Sequence, residues 1–262
     1  MRRTTRIQLT RFAIYAAVLT LAGLVVGTAA QNFSYSWQWG RFFGDYSGLL
    51  LRGLGLTLAV AATSLVFALP IGVLVGLCRT AQDPGARLFG FVYVELIRGT
   101  PLLVQVMIWY FVIAKAIEGV VELTSFSAGV CALSCFTAAY IAEIVRSGIQ
   151  GVDPGQMEAA RSLGLTHTQA MLHVILPQAI RRILPPLASE FIALVKDSSL
   201  ASVIGLEELT KRAQDVQGRS YLTFEPWLTV ALLYLVICVL LSLGVRWLEG
   251  YLGVGQRERA IR

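Results

Sequence analysis

Apolar runs free of charge, each bounded by charged residues, divide the chain. One lies between Arg11 and Arg41, with its apolar part at 12–30. Others fill 53–78 between Arg52 and Arg79, 123–142 between Glu122 and Glu143, and 226–245 between Glu225 and Arg246. A helix needs about 20 apolar residues to cross the hydrocarbon of a bilayer, so each run predicts a span. Two further stretches are apolar but interrupted: 88–114 contains Glu95 and Arg98, and 183–205 contains Glu190, Lys196 and Asp197. The pattern predicts six spans in an all-α integral membrane protein, two of them carrying charge.

Composition strengthens this reading through what is scarce. Only 15% of the 262 residues are charged, against about 25% in soluble domains, and the mean hydropathy is +0.66. The net charge is +6. In a membrane protein such an excess marks cytoplasmic loops rather than nucleic-acid binding. Arg2, Arg3, Arg6 and Arg11 precede the first run, Arg79 and Arg87 follow the second, and Arg161, Arg181 and Arg182 lie between the fourth and fifth. Arg257, Arg259 and Arg262 close the chain, while the alternate loops are mixed or acidic. Both termini are therefore expected in the cytoplasm. The basic start, apolar run and GTAA-Q at 27–31 also fit a cleavable leader; on that alternative five spans remain and the mature N-terminus lies outside.

Cys78, Cys131, Cys135 and Cys238 all fall in or beside apolar runs, where they act as small hydrophobes. His167 and His173, the only histidines, are six residues apart and so lie on different helix faces. These residues support neither a disulfide, a metal site nor a catalytic pair. H-E-x-x-H and G-x-S-x-G are missing, which leaves an intramembrane enzyme without its groups. A stand-alone transporter or channel remains the alternative class; it calls for inverted repeats, and none is found.

One soluble-looking stretch interrupts this pattern: DPGQMEAARSLGLTHTQAMLHVILPQ (153–178). Asp153 with Pro154 reads as an N-cap and first helical position, with Gln156 placed for a capping box. Gly164 supplies a left-handed stop. Thr166 and Gln169 form a second box, and the helix is expected to run to Pro177. Met157, Ala160 and Leu163 make a short apolar stripe suited to a groove on another protein. The second helix carries no Arg or Lys, which argues against DNA reading.

The spacing Glu158-Ala159-Ala160, then Gly164, Val174, Leu176 and Pro177 resembles the EAA loop of inner-membrane permeases of bacterial ABC importers. YVELIRGTPLLVQ (93–105), AAYIAEIVRSGIQGVDPGQMEAARSLG (138–164), VILPQAIRRILPPL (174–187) and FIALVKDSSLASVIGLEEL (191–209) extend the resemblance to the polar amino-acid subfamily. It covers roughly 49–252. The resemblance implies a five-helix type I importer core plus one extra N-terminal helix. The implied layout is an anchor or leader with a periplasmic linker at 1–47, a core at 48–252 with a coupling loop near 149–180, and a cytoplasmic tail at 253–262.

In that family the loop docks on a separate ATPase. Glu158, Ala159, Ala160 and Gly164 take that role by carry-over, with Leu163 and Leu165 beside the turn and Pro177 closing the motif. The implied partners are ATPase subunits holding ATP and Mg, a second permease chain (identical or paralogous), a periplasmic or lipid-anchored binding protein, and an amino-acid solute. This chain binds no cofactor on that reading, and no G-x-x-x-x-G-K-[ST] phosphate loop occurs in it.

Ionisable residues within spans are functional candidates by default. Glu95 with Arg98 and Glu143 with Arg146 stand at i,i+3, where such pairs can satisfy each other. Arg98-Gly99-Thr100-Pro101 predicts a broken helix, tolerated at depth only against protein or a water-filled cavity. Lys196 and Asp197 are adjacent and so diverge by about 100°. With Ser198 and Ser199 they are expected to line a translocation path, Asp197 meeting a cationic group. Packing through small polar residues is the competing role. The family commonly has N-E-F-I and K-D-T-S where this chain has Ser189 and Ser198, which weakens inference about the solute.

Overall fold

A computed structural model describes residue 20 and residues 35–252, and finds helix with no strand among them. Apart from residue 20, the first candidate span (12–30) lies outside the described residues, as does the tail (253–262). The chain divides into two compact units, Met1–Trp39 and Gly40–Arg262. In the first, Trp37 stacks on Trp39 with ring centroids 5.6 Å apart.

Helix α1 (Trp39–Thr80) has 42 residues, a length of roughly 63 Å at 1.5 Å per residue. That is about twice the hydrocarbon thickness. The run expected at 53–78 is therefore the inner part of a longer helix. Its first turns are polar enough for an Arg41–Asp45 ion pair at 3.7 Å.

Helix α2 (Pro84–Arg98) starts where the Asp83 carboxylate accepts the Ala86 N–H at 2.6 Å. The predicted break after Arg98 is a bend of 97° into α3 (Leu102–Ala116). Gly99 and Pro101 allow the turn, and Gln105 stabilises it. Its Nε2 donates to the Ile97 carbonyl at 2.7 Å and to the Thr100 hydroxyl at 2.8 Å. Buried backbone acceptors freed by a bend need such partners.

Helix α4 (Ser125–Gln150) runs through the middle of the fold. The soluble-looking stretch forms α5 (Pro154–Ser162) and α6 (His167–Ala170). A π-helical turn, Met171–Ile175, then leads into α7 (Leu176–Asp197). The helix expected to end at Pro177 instead passes through it. Pro177 occupies the first turn of α7, where its missing N–H costs least. The fifth span expected at 183–205 changes character at its polar patch: α7 stops at Asp197, a 3₁₀ segment follows over Ser198–Ile204, and left-handed Gly205 (φ 79°) closes it. Helices α8 (Leu209–Ser220) and α9 (Glu225–Leu252) complete the chain.

Helices α1, α4 and the Glu225–Trp247 part of α9 are long and apolar enough to cross a membrane, and the bent α2–α3 pair counts as a fourth if it is one span. Helix α7, which carries Arg181, Arg182, Glu190, Lys196 and Asp197, does not reach that standard.

Two apolar clusters hold these helices. One joins Val60 and Ala61 to Leu102, Leu133, Leu194 and Ile204. The other joins Ala68, Ile141 and Val145 to Val152, Ile175 and Ile183, so the base of the hairpin shares a core with the spans. Small residues set the spacing. A Cβ at Gly72 would lie 2.6 Å from Ile141, one at Gly76 2.7 Å from Val145, and one at Gly148 2.3 Å from Ile183.

Candidate functional site

The hairpin is built from its caps. The Asp153 side chain accepts the Gly155 N–H at 2.8 Å. The box expected with Gln156 does not form, because Gln156 instead accepts from Gln178 on α7 at 3.3 Å. The second box forms in both directions: Thr166 N–H donates to Gln169 Oε1 at 2.9 Å, and Gln169 N–H to Thr166 Oγ1 at 3.3 Å. Between them, Leu165 N–H reaches the Ala160 carbonyl at 3.2 Å and Gly164 N–H the Arg161 carbonyl at 3.0 Å. With Gly164 at φ 85°, this is a Schellman stop.

The apolar stripe divides. Met157 packs on the core cluster and Ala160 is buried within its own chain. Leu163 is 84% exposed, beside exposed Glu158 and Ala159 and half-buried Leu165, while Pro177 is exposed at the base. The exposed face of the hairpin is therefore Glu158, Ala159 and Leu163, with Met157 and Ala160 turned inward.

The intramembrane charges fall into separate groups. Glu143 bridges two arginines: Arg79 from the end of α1 at 2.5 Å, and Arg146 of its own helix. The partner from α1 had no sequence signal beyond its sign. Glu95 and Arg98 do not pair. Arg98 lies over the Tyr140 ring at 5.0 Å, a cation–π contact made across helices, and Glu95 is exposed. Thr100 returns its hydroxyl to the Leu96 carbonyl at 3.1 Å.

Around Asp197 the four-residue patch splits. Glu190, seven residues earlier on the same face of α7, feels the charges of both Asp197 and Arg98. Ser198 is fully buried and donates to the Val195 carbonyl at 2.8 Å, which makes it a packing residue. Lys196 and Ser199 turn to a cavity of about 300 Å³ that α8 and α9 complete with Thr210, Trp227 and Tyr234.

Beside that cavity the sequence hid a buried carboxylate. Glu208, fully buried, caps α8 by accepting Thr210 N–H at 2.8 Å and Lys211 N–H at 2.7 Å. Tyr234 donates to it at 3.0 Å. Burial pushes its carboxyl above the usual range, with these hydrogen bonds opposing. In the sequence it is one acid of a mixed loop, beside Glu207, Lys211 and Arg212. Its position before Leu209-Thr210-Lys211 was the available signal, but the tyrosine comes from a distant helix.

Residues 68–252 match the family described as "Binding-protein-dependent transport system inner membrane component". The chain belongs to that family. It is 41% identical over 205 residues to the "Probable glutamine ABC transporter permease protein GlnM" of Bacillus subtilis (strain 168), covering 78% of this chain and 94% of that one. It is 39% identical over 201 residues to the "Glutamine transport system permease protein GlnP" of Escherichia coli (strain K12), covering 77% and 91%. A solved amino acid ABC transporter with histidines matches at TM-score 0.77 and 39% identity, over 83% of this chain and all of that one. The MetNI methionine ABC transporter, at 24% identity and TM-score 0.69 over 79% and 97%, shares the fold. This permease is thus an all-α, multi-pass inner-membrane component of a transport system, with the type I importer core expected from its motifs.

Proposed function

We propose that this chain is the permease half of an ATP-driven importer of polar amino acids. A separate ATPase subunit docks on the α5–Gly164–α6 hairpin and supplies ATP and Mg, a second permease chain completes the path, and a periplasmic or lipid-anchored binding protein delivers the solute. Hairpin, tail and N-terminus lie on the cytoplasmic side when the first span is retained. Asp197, Glu190 and Arg98 face the path. Glu143, Thr100 and Ser198, whose polar groups already have partners inside the protein, hold its walls.

One observation carries this reading. Exposed Glu158, Ala159 and Leu163 stand on a hairpin whose Met157 and Ala160 are anchored inward, so a push on the exposed face reaches the core. The glutamine and amino-acid names of the relatives support the solute class. A carrier of this kind needs two packings with differential affinity for its partners, not catalytic groups.

The test is reconstitution with the neighbouring ATPase and solute-stimulated ATP hydrolysis in proteoliposomes. Gly164→Asp and Glu158→Lys are expected to abolish stimulation while the permease stays folded. Full stimulation in both variants would reduce the hairpin to a loop.

A further inference from the structure

A groove of about 500 Å³ opens between α1, α7 and α9. Leu65 and Leu69 line it from α1, Leu184, Leu187 and Phe191 from α7, and Leu240 from α9; every residue on its walls is apolar. Two of the three walls, α1 and α9, are helices long and apolar enough to cross a membrane. The groove therefore opens at hydrocarbon depth, and it offers water no partner.

One end of the groove is basic. Helices α7 and α9 run antiparallel, because Lys196 and Ser199 share a cavity with Trp227 and Tyr234, while Leu184 and Ala188 share this one with Gly244 and Val245. Arg181 lies one turn nearer the hairpin than Leu184 on the same face of α7, and Arg246 directly follows Val245. Both thus extend the walls at the hairpin end. Both are exposed, and neither forms an ion pair among the described residues. Pro185 lies inside α7 and supplies no N–H to the Arg181 carbonyl four residues before it. Exposed Trp247, beside Arg246, is the residue type that marks the membrane surface.

We propose that the groove binds one anionic phospholipid from the leaflet on the hairpin side, with an acyl chain between α1, α7 and α9 and the phosphate against Arg181 and Arg246. Basic pockets between transmembrane helices take acidic headgroups in this way. The site is independent of which solute is carried. A further helix is too large for it, since 20 residues about 30 Å long and 10 Å across fill roughly 2,400 Å³. A twofold contact with a second copy centred on the groove would bring a second pair of arginines to the first. Charge complementarity selects a negative headgroup instead. Leu187 also packs on the cluster at the hairpin base and Phe191 on the other cluster, so the bound chain braces α7 where it joins the two.

The full-length chain, purified in detergent, is titrated with palmitoyl-oleoyl-phosphatidylglycerol or with phosphatidylcholine of the same chains, and retained lipid is counted by native mass spectrometry. Wild type should hold one phosphatidylglycerol roughly thirtyfold more tightly than phosphatidylcholine, the factor that two arginines give near an anionic headgroup. The double variant Arg181→Gln, Arg246→Gln should bind both lipids alike, and Arg181→Lys with Arg246→Lys should keep the preference. Gly244 lines the groove, and a Cβ added there meets nothing within 4 Å. Gly244→Leu should therefore keep the wild-type thermal midpoint while losing the tight site for both lipids.

An undiminished preference in the double glutamine variant, or a tight site that survives Gly244→Leu, overturns the proposal. So does either replacement of the lipid. If wild type retains none and Gly244→Leu splits the oligomer in size-exclusion chromatography, a second permease chain fills the groove. If lipid binds only after residues 1–34 are removed, that segment fills it.

Discussion

Glu143 sits between arginines drawn from two helices, and its loss leaves both cations close together without their acid. Two hydrogen-bonded charge pairs at a half-buried position are together worth a modest amount, because solvent still screens them. Glu143→Gln is expected to cost about 1–2 kcal/mol, in the range of hydrogen bonds to charged groups, read as a lower thermal midpoint in detergent. An unchanged midpoint would mean that Arg79 and Arg146 find other partners. Glu208 predicts the opposite kind of behaviour. Its folded carboxyl is raised above the ordinary value of 4.5, so the folded state holds the proton more tightly than the unfolded chain does. The stability this contributes is present below pH 4.5 and is lost as pH rises through the raised value. In midpoints measured across that range, wild type should lose ground relative to Glu208→Gln as pH increases. A gap moving in wild type's favour with rising pH would contradict the assignment of burial as the dominant cause.

Helices α1 and α4 meet along Ser64, Ala68, Gly72 and Gly76, spaced four residues apart with nothing larger than serine among them. At Gly72 and Gly76 the facing backbone is so near that an added Cβ would stand 2.8 Å from the carbonyls of Ala138 and Ala142. Small residues at four-residue steps are the usual way for spans to approach closely. Gly76→Val should push the two helices apart and lower the thermal midpoint more than Gly55→Val on the same helix, where a Cβ meets nothing within 4 Å. Equal shifts would sink the packing argument.

The charge-free runs, the Thr166–Gln169 box and the Gly164 stop were legible in the sequence, because each depends on neighbours within a few residues. What stayed hidden depends on distance along the chain. Arg98 chose Tyr140 over Glu95, Arg79 joined Glu143, and Tyr234 reached Glu208, each pairing residues from different elements. The inward turn of Ala160 was hidden for the same reason: its motif marks the proposed docking hairpin but not which of its residues the chain keeps for its own packing.

Helix α7 connects the two ends of the proposed machinery. Its 22 residues span roughly 33 Å, from the π turn at the hairpin base to Lys196 and Asp197. A π turn holds one residue more than the α-helix around it, so Met171–Ile175 sets the rotation of the hairpin relative to α7. Removing exposed Leu172 would let that turn become α-helical and rotate one side against the other by about 100°. Met157 and Ala160 would then leave the core, or Lys196 and Asp197 would exchange surroundings. In either case the link between hairpin and solute path is broken while the composition of the spans is untouched. The expected result is a deletion variant that inserts and assembles with its ATPase, hydrolyses ATP at the basal rate, and shows no stimulation by solute. Full stimulation in the deletion variant would mean that the hairpin moves independently of α7, and that energy reaches the solute path through α4 instead.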